Sequence, residues 1–209
     1  MKYVIFHGAF GNKDGNWFPY IKAELLKLNQ EVILEQYPVE NWDEVIKTEP
    51  SFIPKNQTLD NWIKKFEKDI LPYINKDDKL CFVGHSLGPV FILHLIQKFN
   101  IQLDSAIFVE PFLLSLNNKE AWMFDVVNNS FYKHNFNYEL LQKLIPTSYV
   151  VYSDNDLVPT TISLDFAHKM QSSTILLKGA KHINAPFFTK LPIVLELCKS
   201  RIEASLYDH

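Results

Sequence analysis

The sequence predicts an α/β fold built on a parallel sheet with helical crossovers, and three observations carry that prediction. Six short apolar runs, near residues 2–6, 31–36, 80–83, 105–109, 147–152 and 173–177, alternate with longer stretches of helical character. These runs lack strict apolar–polar alternation, as strands covered on both faces do. The third run passes directly through Gly84-His85-Ser86-Leu87-Gly88 into an apolar helical segment, a strand–turn–helix junction with Gly-x-Ser-x-Gly spacing.

Taken in order, the first run ends at His7-Gly8-Ala9-Phe10-Gly11, followed by the turn-rich Asn12-Lys13-Asp14-Gly15-Asn16 and a helix expected over 17–28. After the second strand, residues 37–57 carry three prolines and no clear period, which predicts a long excursion loop. Thr58 is placed to cap the next helix, where Leu59, Trp62, Ile63, Phe66 and Ile70 recur at helical spacing and Lys64, Lys65, Glu67 and Lys68 face water. Asp77-Asp78 turns the chain into the third strand. Pro89 suits the first turn of the helix that continues over 90–99, because the amides there have no intrahelical acceptor.

The fourth strand closes at Glu110-Pro111. Residues 111–146 read as two weak helical stretches rich in aromatics, Trp122 and Phe124 among them, and predict a small helical cap within a single domain spanning 1–209. Strand five leads into Ser153-Asp154-Asn155-Asp156, then come a helix over 162–170, strand six and Gly179-Ala180-Lys181-His182-Ile183-Asn184. Pro192 opens a terminal helix with Val194, Leu197, Cys198 and Ile202 on one face.

Composition narrows the function classes. A chain of 209 residues with 47% hydrophobic content can bury a substantial core. Its net charge of −3 and lack of a Lys/Arg block give no footprint for nucleic acid or an anionic membrane. Two cysteines, Cys81 and Cys198, make no disulfide framework and predict buried thiols in a reducing, cytoplasmic setting. No segment reads as a signal peptide or a membrane span. No His/Cys/Asp cluster has metal-ligand spacing, and there is no phosphate-binding glycine loop, so neither a metal nor a cofactor is expected.

In an open parallel sheet the functional loops leave the C-terminal strand ends. His7 follows strand one, Ser86 strand three, Asp156 strand five and His182 strand six, so that Ser, Asp and His occur in that order along one sheet edge. Ser86 is the candidate nucleophile and His182 the candidate general base, with Asp156 as the acid that orients it. Asp154 from the same loop and Glu110 from the neighbouring strand end compete for that last role. Asp156 is preferred because Asn155 lets the chain bend before Val158-Pro159 stiffens it. His7 is expected to hold the first loop, and His85 to point away from the serine. Glu110 is a candidate for receiving a substrate amine at the site's mouth, and Trp122 and Phe124 for lining an acyl pocket.

The stretches 4–11, Asn16-Trp17-Phe18-Pro19-Tyr20-Ile21, Trp62, Gly84-His85-Ser86-Leu87-Gly88, Ser153-Asp154-Asn155-Asp156 with Val158-Pro159, and His182-Ile183-Asn184 cover most of the chain. Through them it resembles the α/β-hydrolases, specifically the small serine hydrolases of the YdeN and retinoblastoma-binding protein 9 type. The resemblance implies a three-layer sandwich with strand order 2-1-3-4-5-6 and Ser86, Asp156 and His182 as the triad. The expected activity is cleavage of a small ester or related acyl substrate through an acyl-enzyme. The oxyanion donors would be the backbone N–H of Leu87 and that of Ala9 or Phe10. Amide, peptide and thioester cleavage use the same residues. A catalytically silent protein-binding module on the same fold is the other class of reading.

Overall fold

The computed structural model describes residues 1–48, 51–132 and 135–204. Its six strands are β1 (Lys2–Phe6), β2 (Glu31–Leu34), β3 (Leu80–His85), β4 (Ser105–Val109), β5 (Ser148–Ser153) and β6 (Ser173–Leu177). Every pairing is parallel, in the order β2-β1-β3-β4-β5-β6 that the resemblance implied. The helices are α1 (Phe18–Lys27), α2 (Trp42–Thr48), α3 (Leu59–Asp69), α4 (Gly88–Phe99), α5 (Trp122–Tyr132), α6 (Tyr138–Leu144), α7 (Thr160–Met170) and α8 (Pro192–Ala204).

Successive strand side chains feed two separate cores, because neighbours along a strand point to opposite faces. Val4, Phe6, Phe82, Phe108 and Val150 join Trp62 and Phe66 of α3, α4, and Phe166 of α7 on one face. Tyr3, Ile5, Val83, Ile107 and Val151 join Phe18 and Ile21 of α1 and Val194 and Cys198 of α8 on the other. This double cover explains the missing alternation in the sequence. Strand β6 departs from it: as an edge strand, it leaves Leu176 exposed.

Local signals act as expected at several helix ends. Thr58 Oγ1 accepts the Asn61 N–H at 3.2 Å, capping α3. Asn100, in a left-handed conformation (φ 51°), stops α4.

Two stretches differ from the sequence reading. Residues 37–57 hold helix α2, which has a single buried residue, Val45, and so no periodicity to announce it. This stretch is tied at both ends. The Glu40 carboxylate accepts the backbone N–H groups of Lys55, Asn56 and Gln57, and Trp62 Nε1 donates to Pro38 O at 2.7 Å. The two helices of 111–146 have separate jobs. Helix α6 packs on α4 and α7 through the core residues Leu141 and Leu144, so it belongs to the helical layer. Helix α5 is the part that reaches the C-terminal edge of the sheet.

Candidate active site

Ser86 sits where β3 turns into α4, with φ at +59°, a conformation that a side chain with a Cβ adopts only under strain. Its N–H donates to Val109 O at 2.9 Å, so the end of β4 holds the turn. Close packing leaves two glycines no alternative. A Cβ on Gly84 would lie 2.7 Å from Pro89 N, and one on Gly8 would lie 2.7 Å from Ser86 Cβ.

The loop after β6 is delivered to this serine by four consecutive residues, the last of β5 and the three that follow it. Ser153 Oγ accepts the Ala180 N–H at 3.0 Å, Asp154 Oδ1 the Gly179 N–H at 2.7 Å, and Asn155 Oδ1 the Lys181 N–H at 2.7 Å. Asp156 is the next residue, and both its carboxylate oxygens lie 2.8 Å from His182 Nδ1. The other ring nitrogen, Nε2, lies 3.0 Å from Ser86 Oγ. Asp154 is thus engaged with a backbone amide, and Asp156 meets the imidazole. With Nδ1–H donated to a carboxylate, Nε2 presents its lone pair to the serine hydroxyl, the tautomer a general base needs. The backbone of His182 is fixed as well: His85 Nε2 donates to His182 O at 3.0 Å, and Trp17 Nε1 to Ile183 O at 3.0 Å.

The two neighbouring histidines are kept neutral. Burial lowers His7 to about 4, against the opposing pull of its bonds to the Gly8 and Tyr37 backbone. His7 Nδ1–H donates to Gly8 O and Nε2 accepts the Tyr37 N–H, so it braces the first loop. Burial, and next the nearby His182, lower His85 to about 3. Its ring packs against Trp17 and Phe18.

Above Ser86 lies a cleft of about 350 Å³. Phe10, Trp42, Phe124 and Leu157 form its apolar wall, while Asn12, Asn16 and Asn184 supply polar groups. Phe10 packs edge-on against Trp42 (4.9 Å between centroids) and Phe124 (5.7 Å). Larger, shallower hollows on the outer side of β2 and between α6 and α7 hold no comparable constellation.

Two of the residues expected at the substrate lie elsewhere. Trp122 is not among those lining the cleft, because it starts α5 while Phe124 faces the serine loop. Glu110 is wholly buried beside Asp156 and cannot receive an amine at the mouth. The Phe10 N–H is taken by Gln57 Oε1 at 2.9 Å, whereas the Ala9 and Leu87 N–H groups make no hydrogen bond among the described residues. Sequence reasoning missed Trp42, since nothing marked α2 as structured, and the place of Asn12, Asn16 and Asn184 in the cleft wall.

A parallel sheet in this order, with a serine on a strained strand–helix turn, defines an α/β-hydrolase. Residues 3–200 match the family described as Serine hydrolase, and the chain belongs to that family. It is 23% identical over 199 residues to YdeN of Bacillus subtilis (strain 168), covering 94% of this chain and 93% of that protein. The crystal structure of the B. subtilis ydeN gene product superposes with a TM-score of 0.78 at 22% identity, over 97% of this chain and 98% of that one. Est1E of Butyrivibrio proteoclasticus, solved with ferulic acid bound, gives a TM-score of 0.67 at 14% identity, over 98% and 89% of the two chains. By family and fold the protein is a serine hydrolase of the α/β-hydrolase class, similar to YdeN over nearly its whole length.

Proposed function

We propose that this hydrolase cleaves small, uncharged esters through an acyl-enzyme formed on Ser86. The observation that carries the reading is His182 bridging Ser86 Oγ and the Asp156 carboxylate. In this mechanism Ser86 attacks the ester carbonyl while His182 Nε2 takes its proton, then returns it to the departing alcohol. Water repeats the sequence to release the acid. Asp156 holds the imidazole tautomer and stabilises the imidazolium as it forms. The Leu87 and Ala9 amides, without internal acceptors, are the donors for the oxyanion; the Phe10 amide is already engaged by Gln57.

The cleft supports the substrate class. Among the described residues no Asp, Glu, Lys or Arg lines it, so a neutral substrate loses least on entry, and its aromatic wall suits an apolar acyl group.

A fluorophosphonate probe tests the assignment. Wild-type protein is expected to label at Ser86 and Ser86→Ala to remain unlabelled. Equal labelling of the variant would end the hydrolase reading. A folded wild type that does not label would favour a silent binding module. Turnover of an acyl-chain series as esters, thioesters and anilides then ranks the acyl compounds, with esters expected first.

A further inference from the structure

The Glu110 carboxyl takes no part in that chemistry, yet it is buried beside Asp156. It follows the last residue of β4 in a left-handed conformation (φ 50°), with its N–H donating to Val151 O at 2.9 Å. The carbonyl just before it, Val109 O, is the one that holds the Ser86 N–H. One strand end therefore fixes the nucleophile's backbone and carries a second acid.

Hydrogen-bond accounting sets the state of that acid. The Asp156 side chain is fully buried, and the His182 Nδ1–H it receives is spread over both oxygens. A buried carboxylate, with about four lone-pair positions, needs more donors than this. Glu110 has the complementary deficit: among the described residues neither of its oxygens meets a protein donor in hydrogen-bonding geometry. As two carboxylates, the pair would offer each other only acceptors and like charge in a water-poor core. With one proton between them, the contact becomes an O–H···O⁻ bond and both deficits are met. Asp156 faces the imidazole N–H, so the charge belongs there and the proton on Glu110.

We infer that Glu110 is a protonated positioning residue that donates a hydrogen bond to Asp156 and so holds it as the ionised partner of His182. The inference rests on the roles given above to Ser86, Asp156 and His182. Burial first, then the Asp156 charge and a hydrogen bond to it, push the Glu110 carboxyl up to about 11; the nearby Ser153 N–H, which falls outside hydrogen-bonding geometry, pulls the other way. The titratable groups beyond Asp156 on this side are His182 and His85, the latter kept neutral by burial.

Two substitutions and two readouts test it. Glu110→Gln keeps a neutral side chain with a donor, so kcat/KM for p-nitrophenyl acetate should stay within about threefold of wild type. Its acid limb, which reports the free enzyme's base, should not move. Glu110→Leu removes the donor and concentrates charge on Asp156. Its kcat/KM should fall about tenfold and its acid limb should move to higher pH. An acid limb shifted to lower pH in Glu110→Gln would mean that an anion had been removed, and the inference fails. A folded Glu110→Leu with the wild-type profile overturns it too.

The second readout needs no activity. A glutamate protonated only in the fold contributes stability below its unfolded pKa that is lost as pH rises. The melting temperature of Glu110→Gln should therefore gain on wild type from about pH 4.5 to pH 8. A constant gap would show Glu110 to be ionised and refute the inference. If wild type turns over no ester, the hydrolase reading fails by itself, and the melting comparison still decides the state of Glu110.

Discussion

At the residue scale, the four-residue run 153–156 shows how little separates an acid that ties a loop from one that faces an imidazole. Asp154 and Asp156 lie in the same loop, yet Asp154 closes on the Gly179 amide while Asp156 lies 2.8 Å from the imidazole. Replacing Asp156 by Asn should leave the shape intact but hold His182 in the wrong tautomer, a change that costs about 10⁴ in kcat in serine proteases. Asp154→Asn keeps an acceptor for Gly179 and should cost about tenfold or less. The check is kcat for both variants on one activated ester, with folding verified by thermal melting. A crippled Asp154→Asn beside an active Asp156→Asn would move the acid to Asp154. That Asp156 and not Asp154 lies beside the imidazole agrees with the expectation from backbone freedom, in which Asn155 supplies the bend. The rungs that Ser153, Asp154 and Asn155 make to 179–181 were not legible in the sequence, because they pair loops 25–27 positions apart that no local pattern connects.

At the scale of elements, strands and amphipathic helices were easy to read. The helices report burial through period and the strands through continuous apolar runs, and β1, β4 and β6 have the boundaries that those runs predicted. The substrate-facing elements were harder. Helix α2 buries only Val45, so its sequence carries no stripe, and its position depends on the bonds of Glu40 to residues 55–57. Helix α5 presents Phe124 to the cleft but not Trp122, a distinction that depends on where the helix starts. Together α2 and α5 bring Trp42 and Phe124 to within 5.8 Å of each other, centroid to centroid, opposite Phe10. If this wall binds the acyl chain, Trp42→Ala and Phe124→Ala should each raise KM for a butyl or longer acyl ester about fivefold to tenfold, with acetate esters changed least. Steady-state kinetics across acyl lengths measure this. An equal loss on acetate and octanoate would mean that the wall supports the fold and not the substrate.

At the scale of the whole molecule, the site makes stability depend on pH with opposing signs. His7 and His85 are held at about 4 and about 3, whereas in the unfolded chain each would titrate near 6.5. A histidine with a depressed folded pKa contributes stability that is present above 6.5 and lost as pH falls toward the folded value, because only the unfolded chain takes the proton. Glu110, raised in the fold, works the other way and gives back stability as pH falls toward 4.5. Between about pH 6.5 and 4.5 two histidines oppose one glutamate, and from about pH 4.5 to 4 both histidines act unopposed, so the melting temperature should fall on acidification and fall faster below pH 4.5. Asp69 and Asp78, held below the ordinary carboxylate value by hydrogen bonds to Lys65 and Lys2, add to the loss at the acid end. The share of His7 is at most about 3.5 kcal/mol at about 1.4 kcal/mol per pH unit, a large part of the roughly 5–15 kcal/mol typical of a domain. His7→Gln can still offer a donor to Gly8 O and an acceptor to the Tyr37 N–H, but it does not titrate. Its melting temperature should start at or below that of wild type near pH 7 and decline less steeply to pH 4. Parallel declines for the two proteins would mean that the acid sensitivity arises elsewhere, and that bracing of the first loop by His7 does not depend on its charge state.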